Sequence, residues 1–185
     1  MKKIVCISGS TRKGNTEKLI KAAVEELKKN SLDVVEIYLS NFSPEPCDGC
    51  LICDKTGNCH IEDGMNEINE DLASADGLII GTPARWALLS GSLKTFIDRT
   101  NPLAATERLA EKKVAVIAVG QCEGEEAESI KKAAESVLNF CNDAGMELVD
   151  MMIVEGVLSP NDIDQKKAEF SKIRKLANKL LKSIS

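Results

Sequence analysis

The sequence predicts an α/β fold in which a five-stranded parallel sheet, with strand order 2-1-3-4-5, lies between two layers of helices. Apolar segments of strand length alternate along the chain with longer segments whose apolar residues recur at helical spacing. The strand segments are apolar throughout, which is typical of parallel strands buried on both faces. Right-handed crossovers between such strands give a doubly wound, three-layer α/β/α arrangement, and 2-1-3-4-5 is one of its common strand orders.

Five short segments rich in Val, Ile and Leu are predicted to be strands. They are Lys3–Ser8, Asp33–Leu39, Gly77–Gly81, Lys113–Gly120 and Glu147–Val154. Ligands of such sheets bind beyond the carboxyl ends of the strands, at the switch point between strands 1 and 3. The loops that follow the first four strands are therefore the ones where we expect a binding site.

Five segments have apolar residues at helical spacing and are predicted to be helices. They are Thr16–Lys29, Met65–Ser74, Ser90–Arg99, Glu125–Asn142 and Asn161–Leu181. No helix or strand is predicted between Leu39 and Met65, and a structureless loop of more than about 15 residues is usually functional or disordered. We expect one domain over residues 1–185, with a cysteine-rich insert at about residues 40–64.

Composition excludes several classes of protein. The chain has 185 residues, of which 43% are hydrophobic and 29% are charged, as in ordinary globular domains. Its net charge of −5 disfavours nucleic acid as a partner, and the lysines near the C-terminus are interpreted as the solvated face of the last helix. Apolar stretches such as Val114–Val119 are too short for a membrane span, and the apolar run at the N-terminus is too short for a signal peptide. We therefore expect a cytoplasmic protein that does not bind membranes.

The loop after the first strand is predicted to bind phosphate. Residues 8–16 have the sequence Ser-Gly-Ser-Thr-Arg-Lys-Gly-Asn-Thr and lead into a helix, whose free N–H groups attract anions. Arg12 adds a charge-assisted donor. The loop is neither a dinucleotide fingerprint nor an ATP-binding P-loop, because Asn15 stands where the P-loop lysine would be. The alternative is a helix cap without ligand, for which Asn15 or Thr16 would suffice.

Four of the seven cysteines fall within thirteen residues, with the spacing Cys-x2-Cys-x2-Cys-x5-Cys. They are Cys47, Cys50, Cys53 and Cys59. Four thiolates are the usual ligands of a [4Fe–4S] cluster. Two alternatives remain: zinc held by four cysteines, or by three cysteines and His60, and a set of thiols or disulfides without metal.

Residues 10–16 resemble the FMN-phosphate loop of the flavodoxin-like NAD(P)H-dependent FMN reductases. The similarity continues through residues 75–83 and 91–99 and extends over nearly the whole chain. It implies a flavodoxin-like fold and FMN as the ligand, with the phosphate bound by Ser10, Arg12, Asn15 and Thr16. The cysteine motif on such a body is similar to that of the iron–sulfur flavoproteins.

The resemblance also implies that the loop after the third strand packs its backbone along the flavin ring. Arg85 would then stabilise the anionic reduced flavin, and Trp86 would offer a flat surface; alternatively, Arg85 is a surface residue and Trp86 a core anchor. The third loop, beginning at Gly120, would border the other side of the ring, where Cys122 is an incidental thiol or a redox-active neighbour. The residues expected to bind FMN are Ser8, Ser10, Arg12, Gly14, Asn15, Thr16, Thr82, Pro83, Ala84, Arg85, Trp86 and Gly120.

The expected function is that of an oxidoreductase passing electrons between FMN and a [4Fe–4S] cluster, with no residue acting as acid or base. The electron donor would be ferredoxin or NAD(P)H, and the acceptor a small molecule such as a quinone. The resemblance implies a homodimer or homotetramer. The alternatives are an NAD(P)H-dependent FMN or quinone reductase without a cluster, and a non-enzymatic interaction module that binds flavin or zinc.

Overall fold

The computed structural model describes residues 1–104 and 106–184. Its five strands are β1 (Lys3–Ser8), β2 (Asp33–Tyr38), β3 (Gly77–Pro83), β4 (Lys113–Val119) and β5 (Glu147–Val154). They form one sheet in the order β2-β1-β3-β4-β5, and each pair of neighbours is parallel. The predicted strand order and sheet type are confirmed.

Helices connect successive strands. They are α1 (Asn15–Leu27), α2 (Cys53–Thr56), α3 (Met65–Ser74), α4 (Gly91–Asp98), α5 (Asn101–Ala104), α6 (Glu128–Asp143) and α7 (Lys167–Ser183). Short 3-10 helices at Gly124–Ala127 and Asp162–Gln165 precede α6 and α7. None of the helices in the described ranges combines the length and the apolar character that crossing a bilayer requires.

The core has two halves, one on each face of the sheet. Alternate side chains of a strand point to opposite faces, so Ile4 and Cys6 pack with α1 and α7, whereas Val5 and Ile7 pack with α3, α4 and α6. Both faces of the central strands are therefore buried, which is the reason that these strands are apolar throughout. The three-layer α/β/α architecture follows.

The structure differs from the prediction at several element ends. β3 continues two residues beyond Gly81, because Pro83 pairs with Val119 of β4, whereas pairing with β1 stops at Gly81. Pro83 has no N–H, and it is tolerated there since β1 no longer faces it. The last two predicted helices each begin as a 3-10 turn, and the one-turn helices α2 and α5 were not predicted.

The carboxyl ends of β1 and β3 meet at the switch point of the sheet. Gly9 N–H donates to the Gly81 carbonyl at 2.7 Å, and a Cβ on Gly9 would lie 2.8 Å from Leu93 Cβ. Only glycine fits so close an approach. The Ser90 hydroxyl accepts from Leu93 N–H and donates to the Gly9 carbonyl at 2.5 Å, so α4 begins at this edge.

Candidate functional site

A cavity of about 420 Å³ opens at this edge of the sheet, a size typical of sites for small molecules. Three of the four loops expected to form a binding site, those after β1, β3 and β4, form its walls together with the loop between β5 and α7. The loop after β2 does not line it. Ten of the twelve residues expected to bind FMN line it: Ser10, Arg12, Gly14, Asn15, Thr16, Pro83, Ala84, Arg85, Trp86 and Gly120. Ser8 and Thr82 do not.

Ser8 and Thr82 lie behind the cavity wall, and both are fully buried. The Thr82 hydroxyl accepts from Ser90 N–H at 3.0 Å and donates to the Pro83 carbonyl at 3.1 Å. The Ser8 hydroxyl has no hydrogen-bond partner among the described residues. Thr82 therefore supports the second loop from behind rather than lining the space for a ligand.

The first loop offers donors to an anion. The Ser10 hydroxyl donates to the Arg12 carbonyl at 3.0 Å and accepts from Arg12 N–H at 3.1 Å, which holds the loop in a tight turn. α1 begins without a side-chain cap, and within the described ranges the N–H groups of residues 15–17 have no acceptor. The exposed Arg12 guanidinium has no carboxylate partner there either. These free donors at a helix N-terminus suit a phosphate group.

Asn15 lines the cavity, but its side chain is used elsewhere. Its Nδ2 donates to the Ser159 carbonyl at 2.8 Å, and its Oδ1 accepts from Ile163 N–H at 3.1 Å. These bonds fasten the β5–α7 loop, which contributes Leu158 and Pro160 to the opposite wall. The Asn15 side chain is therefore not free to bind a phosphate, and the predicted contact would have to be made by its backbone N–H.

The second loop ends in a tight hairpin. Arg85 and Leu88 exchange two backbone hydrogen bonds of 2.9 Å around Trp86 and Ala87, whose φ angles are 52° and 62°. Positive φ at both central positions is the type I′ turn, which favours glycine and asparagine. The Trp86 side chain is 98% exposed, so it is not a core anchor. The exposed Arg85 lines the cavity beside it.

Gly120 brings the third loop close to its neighbours. A Cβ there would lie 2.7 Å from Ile130 Cγ1 and 3.4 Å from Ala84 Cβ. The loop continues to Cys122, which is half-buried and lines the cavity, and whose carbonyl accepts from Gly156 N–H at 3.2 Å. Phosphate donors at one end and flat backbone walls at Pro83, Ala84 and Gly120 fit the two parts of FMN, a phosphate ester and a planar ring.

The cysteine segment, defined as residues 45–61, lies on the side of the molecule where α4 ends. Cys47 and Cys50 are exposed, Cys53 is buried in α2 and Cys59 is half-buried. The chain turns between them at Gly49, Leu51 and Gly57, whose φ angles are 72°, 59° and 73°. Left-handed conformations at these places let a short segment bend back on itself, as convergence of several thiols requires.

Several N–H groups lie close to the thiols or to the backbone beside them. Asn101 Nδ2 is 3.4 Å from Cys53 Sγ. The Ile52 N–H lowers the pKa of the Cys50 thiol, but burial and the Asp48 carboxylate outweigh it and the net shift is upward. The Asn66 side chain makes two bonds of 2.9 Å to the backbone of Cys59. Donors of this kind orient and stabilise thiolate ligands.

The spacing of the thiols bears on which metal group would fit. Sulfurs on one tetrahedral zinc ion lie about 3.8 Å apart, because each Zn–S bond is about 2.3 Å long. In the described ranges no three of the four sulfurs lie within 4.8 Å of one another; the group that does is Asp48, Cys50 and His60. In a [4Fe–4S] cluster each thiolate binds a different iron. The four described sulfurs are therefore not gathered at the spacing of a single zinc site with four cysteine ligands.

Arg99 is a residue of this region that the sequence did not single out. Its buried side chain donates to the Glu45 carbonyl at 2.7 Å, to the Ile61 carbonyl at 3.3 Å and to both oxygens of Asp63 at 2.7 and 2.9 Å. A basic residue after a helix normally lies in solvent at the negative end of the helix dipole. The position of Arg99 after a predicted helix therefore did not indicate that its side chain is buried.

The chain is similar in sequence to known proteins. Residues 2–146 match the family described as NADPH-dependent FMN reductase. An iron–sulfur flavoprotein of Methanocaldococcus jannaschii is 35% identical over 119 residues, which are 64% of this chain and 62% of that protein. An iron–sulfur flavoprotein of Methanosarcina thermophila is 31% identical over 180 residues, which are 96% of this chain and 93% of that protein. The match thus spans less than two thirds of one relative and nearly all of the other.

Solved structures show the same fold. An azoreductase from Bacillus anthracis has a TM-score of 0.72 at 20% identity, with 97% of this chain and all of that chain covered. A flavodoxin from the domain Archaea has a TM-score of 0.65 at 15% identity, with 98% of both chains covered. The predicted flavodoxin-like fold is confirmed. From the family match and the relative that covers nearly the whole chain, the protein belongs to the iron–sulfur flavoprotein / NADPH-dependent FMN reductase family, whose members are flavin-dependent oxidoreductases.

Proposed function

We propose that the chain is an oxidoreductase that binds FMN in the cavity and a [4Fe–4S] cluster on Cys47, Cys50, Cys53 and Cys59, and passes electrons between them. Its electron donor is ferredoxin or NAD(P)H, and its acceptor is a small molecule such as a quinone. When bound, FMN exchanges one or two electrons and the cluster exchanges one, so together they connect two-electron and one-electron partners.

The observation that carries this proposal is that a single helix joins the two sites. The N-cap of α4, Ser90, is bonded to Gly9 beside the first loop, and the residue after its last turn, Arg99, is bonded to both ends of the cysteine segment. Eight helical residues span about 12 Å. The two sites are therefore neighbours on one rigid support.

The chain's own residues bind and orient the cofactors under this proposal. Arg12 and the free N–H groups of α1 neutralise the phosphate, and the backbone walls hold the ring. Arg85 places a cation at the ring, where it favours added negative charge. Asn101 and Asn66 orient the cysteine segment. No side chain is needed as a general acid or base.

Metal and flavin analysis of protein purified without oxygen tests the proposal. We expect about one FMN and four iron and four sulfide per chain, as the cofactors require. Cys50→Ala should lose iron and keep flavin, whereas Cys122→Ala, which changes a thiol outside the motif, should keep its iron. Iron-free wild-type protein, or unchanged iron content in Cys50→Ala, would contradict the cluster proposal.

A second candidate is an NAD(P)H-dependent FMN or quinone reductase without a cluster. The exposure of Cys47 and Cys50 favours it, because exposed thiols are open to oxidation or to other metals. Rapid bleaching of bound flavin by NAD(P)H in iron-free protein would support this candidate. Iron-free protein whose flavin is not reduced would instead support the interaction module.

We also propose that the chain forms a homodimer or homotetramer in the cytoplasm. Exposed apolar side chains occur near both sites, at Leu51 and Ile52 and at Trp86 and Leu88, and such side chains are often covered by a partner subunit. All seven cysteines are free thiols, as a reducing compartment would keep them. Light scattering on the purified protein would give the oligomeric state, and a monomer would refute it.

A further inference from the structure

We infer that Arg99 is a positioning residue for the cluster, which holds the two ends of the cysteine segment together and places a positive charge beside that segment. The inference rests on the proposed function for the identity of the metal group. The positioning itself is a property of the chain and can be measured without metal.

The hydrogen bonds of Arg99 close the cysteine segment into a loop. Glu45 lies two residues before Cys47 and Ile61 lies two residues after Cys59, and the carbonyls of both accept from the same guanidinium. Asp63 reinforces the closure, because its Oδ2 also accepts from Glu45 N–H at 2.8 Å. One buried ion pair therefore fixes the separation of the ends between which all four thiols lie.

The Arg99 guanidinium also has one N–H group that takes no part in the contacts described above. Arg99 Nε is buried and has no hydrogen-bond partner among the described residues, although the other two nitrogens of the guanidinium bond to the two ends of the cysteine segment. An arginine stays protonated in proteins, so the ends of this segment meet at a permanent cation. Unpaired buried donors are rare, and a thiolate of the segment would give this donor a partner.

Removal of Arg99 and removal of the charge of Asp63 should shift the reduction potential of the cluster in opposite directions. Reduction adds negative charge to a cluster, and a nearby cation favours that state. Loss of Arg99 leaves the Asp63 carboxylate unpaired, so the reduction potential should move to a more negative value. Loss of the Asp63 charge leaves the cation unpaired, so the potential should move to a more positive value. A residue that only held the fold would not produce this reversal.

The experiment compares Arg99→Met, Arg99→Lys and Asp63→Asn with wild type. Arg108→Met is the matched control, since Arg108 makes a similar two-pronged ion pair with Glu70 but on the surface and away from the cysteines. FMN content checks that each variant folds. Hydrogen exchange over residues 45–61 is measured on iron-free protein. Iron content and reduction potential are measured after anaerobic reconstitution with iron and sulfide.

We expect faster exchange over residues 45–61 in Arg99→Met, a loss of at least half of its iron, and wild-type behaviour of Arg108→Met. If Arg99→Met does not bind FMN, the milder Arg99→Lys and Asp63→Asn variants decide. Wild-type exchange and potential in the Arg99 and Asp63 variants would overturn the inference. Iron-free wild type would refute the proposed cluster, whereas the exchange measurement decides separately whether Arg99 positions the cysteines.

Discussion

Asn15 in the first turn of α1 holds the backbone of Ser159 across the mouth of the cavity. The 2.8 Å bond from its Nδ2 to the Ser159 carbonyl joins residues 144 positions apart. Its Oδ1 accepts from Ile163 N–H in the same loop. One side chain therefore connects the loop that offers donors to an anion with the loop that forms the opposite wall.

Replacement of Asn15 by Ala should loosen the β5–α7 loop. Two hydrogen bonds, one buried and one part-buried, would be lost and their backbone partners left unpaired, so we expect a loss of about 1–3 kcal/mol in the free energy of unfolding. Hydrogen exchange at residues 158–163 should quicken, and FMN should bind more weakly. Asn41→Ala, at an exposed position, is the control, and equal stability of the two variants would contradict the role of Asn15.

Arg12→Ala should weaken FMN binding while leaving the fold intact. Arg12 lines the cavity and is exposed, and a hydrogen bond to a charged group contributes about 1.5–3 kcal/mol, equivalent to roughly 10- to 100-fold in Kd. Quenching of FMN fluorescence on titration gives the affinity. Lys13→Ala removes the adjacent charge outside the cavity lining and should have a much smaller effect; unchanged affinity in Arg12→Ala would refute the phosphate assignment.

Gly120→Ala should damage the cavity wall. The new Cβ would lie 2.7 Å from Ile130 Cγ1 in α6, so the third loop or α6 must move, which typically costs about 1–3 kcal/mol. Gly91→Ala is a contrasting control, because a Cβ there meets nothing within 4 Å at the start of α4, and alanine favours a helix by up to about 1 kcal/mol. Thermal unfolding should therefore shift in opposite directions, and similar shifts would argue against the steric explanation.

Much of the fold was predictable because its central strands are buried on both faces. The bounds predicted for β1 and β5 are those observed, and in β1 the apolar run Ile4–Ile7 lies between the polar residues Lys3 and Ser8. α4 was also predicted closely, since the predicted helix Ser90–Arg99 differs from the observed Gly91–Asp98 only by its two capping residues. The 3-10 turns before α6 and α7 were missed because apolar spacing does not distinguish them from the first turn of a helix.

The site was predictable to the level of loops, but the roles of single side chains were not. Switch-point topology identified four loops, of which three line the cavity and the loop after β2 does not. The use of Asn15 depends on residues 159–163, and the burial of Arg99 depends on Glu45, Ile61 and Asp63. These partners are distant in sequence, and local spacing carries no information about them.

Acid should loosen the β5–α7 loop through Asp162. Its Oδ2 accepts from the N–H groups of Leu158 at 2.8 Å and Ser159 at 2.7 Å, and these two bonds lower the pKa of the carboxyl. A lowered pKa means that the carboxylate stabilises the folded loop above its ordinary pKa of about 3.8 and that this contribution is lost as the pH falls below that value.

Amide signals of Leu158 and Ser159 followed by NMR between pH 6 and about pH 2.5 measure this transition. Asp162→Asn keeps an acceptor oxygen but cannot titrate, so its signals should not change with pH in this range. Asp164→Asn, which changes an exposed carboxylate in the same turn, should leave the transition in place. A transition that persists in Asp162→Asn would show that another group is responsible.

The fixed length of α4 has an implication for how this architecture can diverge. Ser90 and Arg99 lie at the two ends of the helix, and each is hydrogen-bonded to a different part of the molecule. The helix therefore cannot shift along its axis without breaking one of these contacts. A chain that gained one helical turn between them would separate the two sites by about 5.4 Å, whereas one extra residue would rotate the arginine by about 100° away from its carbonyl partners. Insertions or deletions between Ser90 and Arg99 should therefore add or remove whole helical turns, or be absent.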